Sequence, residues 1–141
     1  MDTGPSKYLT WDELACKDGT PYPEQWRKNR AIEIAEVFDL IRKTCGDKPI
    51  KVLSAYRTEK YNRSIGGARF SQHVQGRALD LRPPEGFTVD DFYETIKGLS
   101  MISNIRGIGK YKTFIHVDTR PTDRLVVWSG TGMKDDTSIN T

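Results

Sequence analysis

Phe114-Ile115-His116-Val117-Asp118 is the stretch on which the fold turns. Its side chains alternate with period two, the pattern of a β-strand with two unlike faces. Ile115 and Val117 suit a core, so Phe114, His116 and Asp118 share the opposite face and turn toward a cleft. Outward from this strand, Ile105–Tyr111 reads as a neighbour and Leu125–Trp128 as a candidate last strand. Ile50–Ala55 and Ala78–Arg82 are two earlier strands, the second stopped by Pro83-Pro84.

Helical signals come mostly before the strands. Between Gln25 and Thr44, the residues Ile34, Val37, Phe38 and Ile41 fall at i, i+3, i+4 and i+7, with Gly46 as C-cap and Pro49 beyond. Thr58–Ser64 is a short helix ended by Gly66-Gly67. Thr88-Val89-Asp90-Asp91 opens another, whose buried stripe is Phe92, Ile96 and Leu99. This order predicts an α+β single domain, with helices packed on one face of a small antiparallel sheet that carries the functional site. The expected domain is 1–129, with a core at about 9–120 and a polar, frayed tail at 130–141.

Composition narrows the classes of function. The chain has 141 residues, 36% hydrophobic and 29% charged, as a globular protein does. A net charge of +3, without basic runs or interleaved aromatics, favours approach to a polyanion and argues against nucleic-acid binding. No apolar run approaches the roughly 20 residues that span a bilayer. No secretory signal is visible at Met1–Ser6, so the expectation is a protein made in the cytoplasm. That setting favours reduced thiols at Cys16 and Cys45 over a disulfide. The expected assembly is a monomer.

The chain has only two histidines, so neither has a stand-in. His73 stands in Ser71-Gln72-His73-Val74-Gln75-Gly76-Arg77-Ala78-Leu79-Asp80, and His116 in the strand above. Together with Asp80 they make two imidazoles and one carboxylate. Catalytic zinc takes three such protein ligands and leaves a fourth position for water. Zinc there would bring the pKa of its water to about 7 and polarise a carbonyl. Asp118, two residues and about 7 Å along the strand from His116, is the candidate general base; it could equally orient a ligand imidazole. Arg57 can offer a two-pronged fork to a carboxylate or carbonyl oxygen. Plainer readings exist for several of these: Asp80 salt-bridging Arg77 or Arg82, Arg57 binding Asp80, and Asp118 pairing with Arg120. Gly107-Ile108-Gly109 does not match a phosphate loop and is read as letting backbone approach the cleft.

One set of motifs resembles a known family. Ser54-Ala55-Tyr56-Arg57-Thr58, Asn62, Gly66-Gly67-Ala68, Ser71-x-His73-x-x-Gly76-x-Ala78-x-Asp80, Gly107-Ile108-Gly109-x-Tyr111 and His116-Val117-Asp118 look like the zinc D-Ala-D-Ala carboxypeptidases and L-alanyl-D-glutamate endopeptidases. Leu9–Cys16 is a loose match to the opening segment of the small phage-associated branch. The resemblance implies cleavage of peptidoglycan stem peptides, by an endolysin or a virion-associated lysin acting at the bacterial cell wall. It implies His73, Asp80 and His116 as zinc ligands, Arg57 as the substrate-binding arginine, and Ser71 as a substrate contact or a brace for the site. The positions where members place a catalytic acid or a third histidine hold Thr113 and Phe114 here. That departure supports a second reading, a non-catalytic zinc module that binds wall peptides or serves as a phage structural part. A third, an unrelated structural zinc domain, would leave Arg57 replaceable.

Overall fold

The computed structural model describes residues 2–130. Of the tail expected at 130–141, residues 131–141 lie outside the described residues. Its elements follow the order α1 (Trp11–Leu14), α2 (Arg30–Thr44), β1 (Val52–Ser54), α3 (Glu59–Ser64), β2 (Ala78–Leu81), α4 (Val89–Leu99), β3 (Gly107–Lys110), β4 (Ile115–Asp118) and β5 (Val126–Ser129). The five strands form one sheet in the order β1-β2-β4-β3-β5. Its pairs are antiparallel except β3–β5, which is parallel. The expected α+β single domain is therefore present, with a mostly antiparallel rather than wholly antiparallel sheet.

The long early helix is shorter than its periodicity predicts. Glu24–Trp26 forms a separate 3-10 turn, and Asn29 leaves helical geometry at φ −132° and ψ −79°. The Asn29 side chain then accepts from the Arg30 amide at 2.6 Å, satisfying a donor that a helix start leaves open. Inside α2, Ile34, Val37, Phe38 and Ile41 are buried as the spacing requires. Truncating Phe38 to alanine would cost about 3–5 kcal/mol. At α4, Thr88 accepts from the Asp91 amide and Asp91 accepts from the Thr88 amide, a reciprocal cap that fixes the start. Phe92, Ile96 and Leu99 line its buried side.

Ile108, Ile115, Val117, Leu79 and Leu81 join Ile34, Phe38, Phe92 and Ile96 in the main core. The helices thus cover the face carrying Ile115 and Val117. Phe114, on the other face, packs with Leu53, Tyr111 and Trp128 in a smaller cluster. Cys16 and Cys45 are buried and unpaired. Among the described residues, no helix is long and apolar enough to cross a membrane.

Candidate metal centre

Strand register builds the site as a row. Ser54 lies opposite Asp80, Asp80 opposite His116, His116 opposite Gly109, and Gly109 opposite Trp128. Residues directly opposed on antiparallel strands hold their Cβ atoms about 4.5–5.5 Å apart, so Asp80 and His116 meet without help from a loop. The next row pairs Ala78 with Asp118 and Asp118 with Gly107. Both glycines are needed for space: a Cβ on Gly107 would run into the Asp118 carboxylate, and one on Gly109 into the Trp128 ring. The Gly-x-Gly segment of β3 is thus the clearing in which β4 places its polar face.

His73 arrives from outside the sheet. Its loop runs through successive turns, with Val74 bonded to Ser71, Gly76 to His73 and Arg77 to Gln72. Gly76 sits at φ +69°, where a side chain would be strained and would strike Trp26 and Tyr22. Tyr22 donates to the Gly76 carbonyl at 2.7 Å, and Ser71 Oγ accepts from the His73 amide at 3.1 Å. The loop is therefore clamped at both ends of its turn.

The geometry fits a metal. His73 Nδ1 faces the Ala55 carbonyl at 2.6 Å, which fixes that nitrogen as donor and leaves Nε2 with its lone pair. His116 Nε2 donates to Asp118 Oδ2 at 2.7 Å, which leaves Nδ1. Both remaining nitrogens lie 3.0 Å from Asp80 Oδ1. One donor atom from each of His73, Asp80 and His116 falls within 4.8 Å of the others. Zinc held by these atoms with bonds near 2.0–2.1 Å would need them about 3.3 Å apart, and the two Asp80 contacts at 3.0 Å lie close to that spacing.

The two imidazoles sit in opposite electrostatic settings. Burial, assisted by the Arg57 charge, lowers His73 to about 4. Burial also opposes a charge on His116, but hydrogen bonds to Asp118 and Asp80 outweigh it and raise that ring to about 9. Asp80 and Asp118 are buried, which penalises their charge. Their imidazole and guanidinium partners overcome this and hold both well below the usual carboxylate range.

The other sequence-selected residues surround this centre in unequal ways. Arg57 is fully buried, donating to Ser54 Oγ at 3.0 Å and Asn62 Oδ1 at 3.1 Å, with Nη2 3.4 Å from Asp80 Oδ2. Asp118 is fully buried behind His116; besides that ring it accepts from the Arg120 amide, Nε and Nη2 at 2.7–3.1 Å. Ser71 lines the cleft and braces the loop. A cavity of about 260 Å³ opens over His116, lined also by Phe70, Ser71, Gln72, Tyr111, Arg120 and Trp128. It meets a cavity of about 670 Å³ at Phe70 and Ser71. Phe70 stands 83% exposed between them.

Three further cleft residues are less legible in the sequence. Tyr111 only closes a motif there, and Trp128 is one of three tryptophans read as core or edge packing, of which one could floor a groove. Tyr111 accepts from Trp128 Nε1 at 2.9 Å and stacks on Phe114 at 4.6 Å, and burial pushes its hydroxyl pKa up. Trp128 leans on the His116 ring at 5.1 Å, so it forms part of the cleft wall. Gln72 Oε1 is buried without a partner. The Gly-x-Gly-x-Tyr spacing is the one available signal for Tyr111; nothing local marks Gln72.

Two imidazoles and a carboxylate with converging donor atoms, His116 opening to a cleft on a sheet-built floor, make a group that could hold a metal. Residues 7–118 match the family model for Peptidase M15, and the chain belongs to that family of zinc-dependent metallopeptidases. A search of curated proteins returned no match.

Proposed function

We propose that this chain hydrolyses peptide bonds in peptidoglycan stem peptides, as a D,D-carboxypeptidase or an L-Ala-D-Glu-type endopeptidase with zinc on His73, Asp80 and His116. The observation that carries the reading is the convergence of His73 Nε2, His116 Nδ1 and Asp80 Oδ1, each imidazole having its other nitrogen already engaged. Zinc bound there supplies a Lewis acid for the scissile carbonyl and a water acidic enough to attack at neutral pH. The family match at 7–118 supports a domain of 1–129 with its core at about 9–120. A phage endolysin or virion-associated lysin, acting as a monomer at the bacterial wall after release or within the particle, fits the motif resemblance.

Each residue then has an assigned task. Arg57 reaches Asp80 Oδ2, which leaves Oδ1 for the metal. Fully buried and held by Ser54, Asn62 and Asp80, it braces the centre from beneath, and the substrate-binding role the resemblance implies would require it to exchange one of these partners for substrate. Ser71 holds the His73 loop and faces substrate. Tyr111, a neutral phenol at physiological pH that burial makes still harder to ionise, would turn its hydroxyl to the developing oxyanion. Asp118 has two assignable roles. As general base it would take the proton of the attacking water; its bond to His116 Nε2 and its burial instead favour holding that ring and raising its basicity.

One observation favours the second reading, a non-catalytic zinc module for wall binding or phage structure. Among the described residues, no carboxylate lines the cavity over His116. Phe114, at one of the positions usual for a base, is fully buried and stacked on Tyr111. Mass spectrometry of purified sacculi incubated with protein and zinc, beside His116→Ala, decides between the two. New muropeptide ends with the wild type alone support the peptidase and name the bond. Bound zinc without products supports the module.

A further inference from the structure

On the flank of the metal cleft lies a third cavity, of about 380 Å³, between α2, the turn before β2, the approach to β3 and the exit from β4. Arg77, Arg106, Arg120, Thr119, Thr122 and Glu33 line it. Three guanidiniums thus face one small space, and their charge is poorly matched. Glu33 approaches Arg77 at 3.6 Å while 41% exposed, a pair of little strength in water. Arg120 spends Nε and Nη2 on Asp118, whose charge it shares with His116. Arg106 has no carboxylate partner among the described residues; its Nη1 donates only to the Ser103 and Ile105 carbonyls.

A second, independent feature marks this cavity. Thr119 is 4% exposed, and its hydroxyl is buried with no hydrogen-bond partner. A buried unpaired hydroxyl costs about 1–3 kcal/mol, which an occupant able to bond it would recover. Guanidiniums with a hydroxyl recognise an oxyanion, and a planar fork matches a carboxylate best. Arg120 lines both this cavity and the one over His116. An extended peptide held over His116 advances about 3.3 Å per residue, so a carboxylate on a neighbouring residue would lie toward the side that Arg120 shares.

We propose that Arg77, Arg106, Arg120 and Thr119 form an anion subsite that receives a free carboxylate of the peptide being processed, and so selects acidic over amidated stem peptides. The substrate class rests on the peptidase reading above; the anion site itself does not.

The test uses an uncleavable probe, so it is independent of turnover. N-acetyl-D-glutamate, its neutral diamide and inorganic phosphate are each titrated into the zinc-loaded, nitrogen-15-labelled chain and followed by two-dimensional NMR. The expected result is shifts at the Arg106 and Thr119 amides, with the diamide at least tenfold weaker. Arg106→Gln should weaken the carboxylate at least tenfold, and Thr119→Val, which keeps shape, should weaken it by a smaller factor. The spectra themselves report whether either variant folds. Equal binding of acid and diamide, no shift at these amides, or an unchanged Thr119→Val in a folded sample each overturns the proposal. Tighter binding of phosphate than of the carboxylate also overturns it and assigns the site to a phosphate-bearing polymer. Sacculus digestion without products would defeat the peptidase reading while leaving an observed carboxylate preference intact.

Discussion

His73 and His116 present one nitrogen each to the same point, yet the chain supports them by different means. A backbone carbonyl, Ala55 O, orients His73, and the loop around it is locked by Tyr22 and Ser71. A buried ion-pair chain, Arg120 to Asp118, orients His116. The carbonyl that orients His73 is neutral and cannot be deleted by a point substitution. The support of His116 is charged, and a single change removes it. The fold therefore writes one ligand into its backbone and leaves the other open to tuning.

The largest effect on this comparison comes from removing a ligand. His73→Ala and His116→Ala should each abolish stoichiometric zinc, read as metal content after dialysis. Retained zinc in either variant would take that residue out of the ligand set. Asp118→Asn comes next, with zinc affinity falling about 10–100-fold and turnover returning at saturating zinc. If Asp118 is instead the general base, zinc affinity stays as in the wild type and turnover is lost at every zinc concentration. Competition against a chelator, run beside a rate assay, separates the two.

A smaller effect follows from protons. In the metal-free protein His116 is raised to about 9 and His73 lowered to about 4, so near neutrality the first is an imidazolium with both nitrogens protonated and the second a neutral imidazole. Zinc then displaces one proton, and its affinity should rise about tenfold per pH unit between 7 and 9. The sign for stability runs the other way. A raised folded pKa stabilises the zinc-free fold fully below the unfolded value near 6.5, and that contribution fades as pH climbs through about 9. Melting of the zinc-free protein from pH 6 to 10 checks the second, and proton release measured in two buffers checks the first. A release of two protons would mean that both rings are charged.

The smallest effect concerns a carboxylate supported, like His73, by backbone. Asp18 is lowered to about 2, first by its bond from the Thr20 amide, in an exposed turn. A lowered pKa contributes stability above the unfolded value near 3.9, and that share disappears as pH falls through about 2. Asp18→Asn should melt slightly lower than the wild type at pH 7, with the gap closing toward pH 2. A gap that widens in acid would contradict the assignment.

What could be read in the sequence follows from range. Alternation in Phe114–Asp118, and two histidines without substitutes, are local facts; the strand, its sidedness and the metal cluster follow from them. Thr88 and Asp91 likewise announce α4 within four residues. The break at Asn29 interrupts a sound helical pattern because one side chain caps the Arg30 amide, and periodicity cannot register that. The clamp on the His73 loop joins Tyr22 to Gly76, 54 residues apart, and no local pattern marks it. The parallel placement of β5 is equally nonlocal, and it is what brings Trp128 against His116. Asp118 shows the limit most clearly: alternation puts it on the polar face, but only the pairing with His116 and Arg120 tells which way its charge is used.

X-ray absorption at the zinc edge tests the central claim most directly. On the loaded wild-type protein the account predicts one zinc per chain, with two imidazole nitrogens and light oxygen donors near 2.0–2.1 Å and no sulfur. A sulfur shell near 2.3 Å would place Cys16 or Cys45 on the metal, and a single imidazole would separate His73 from His116; either result contradicts it.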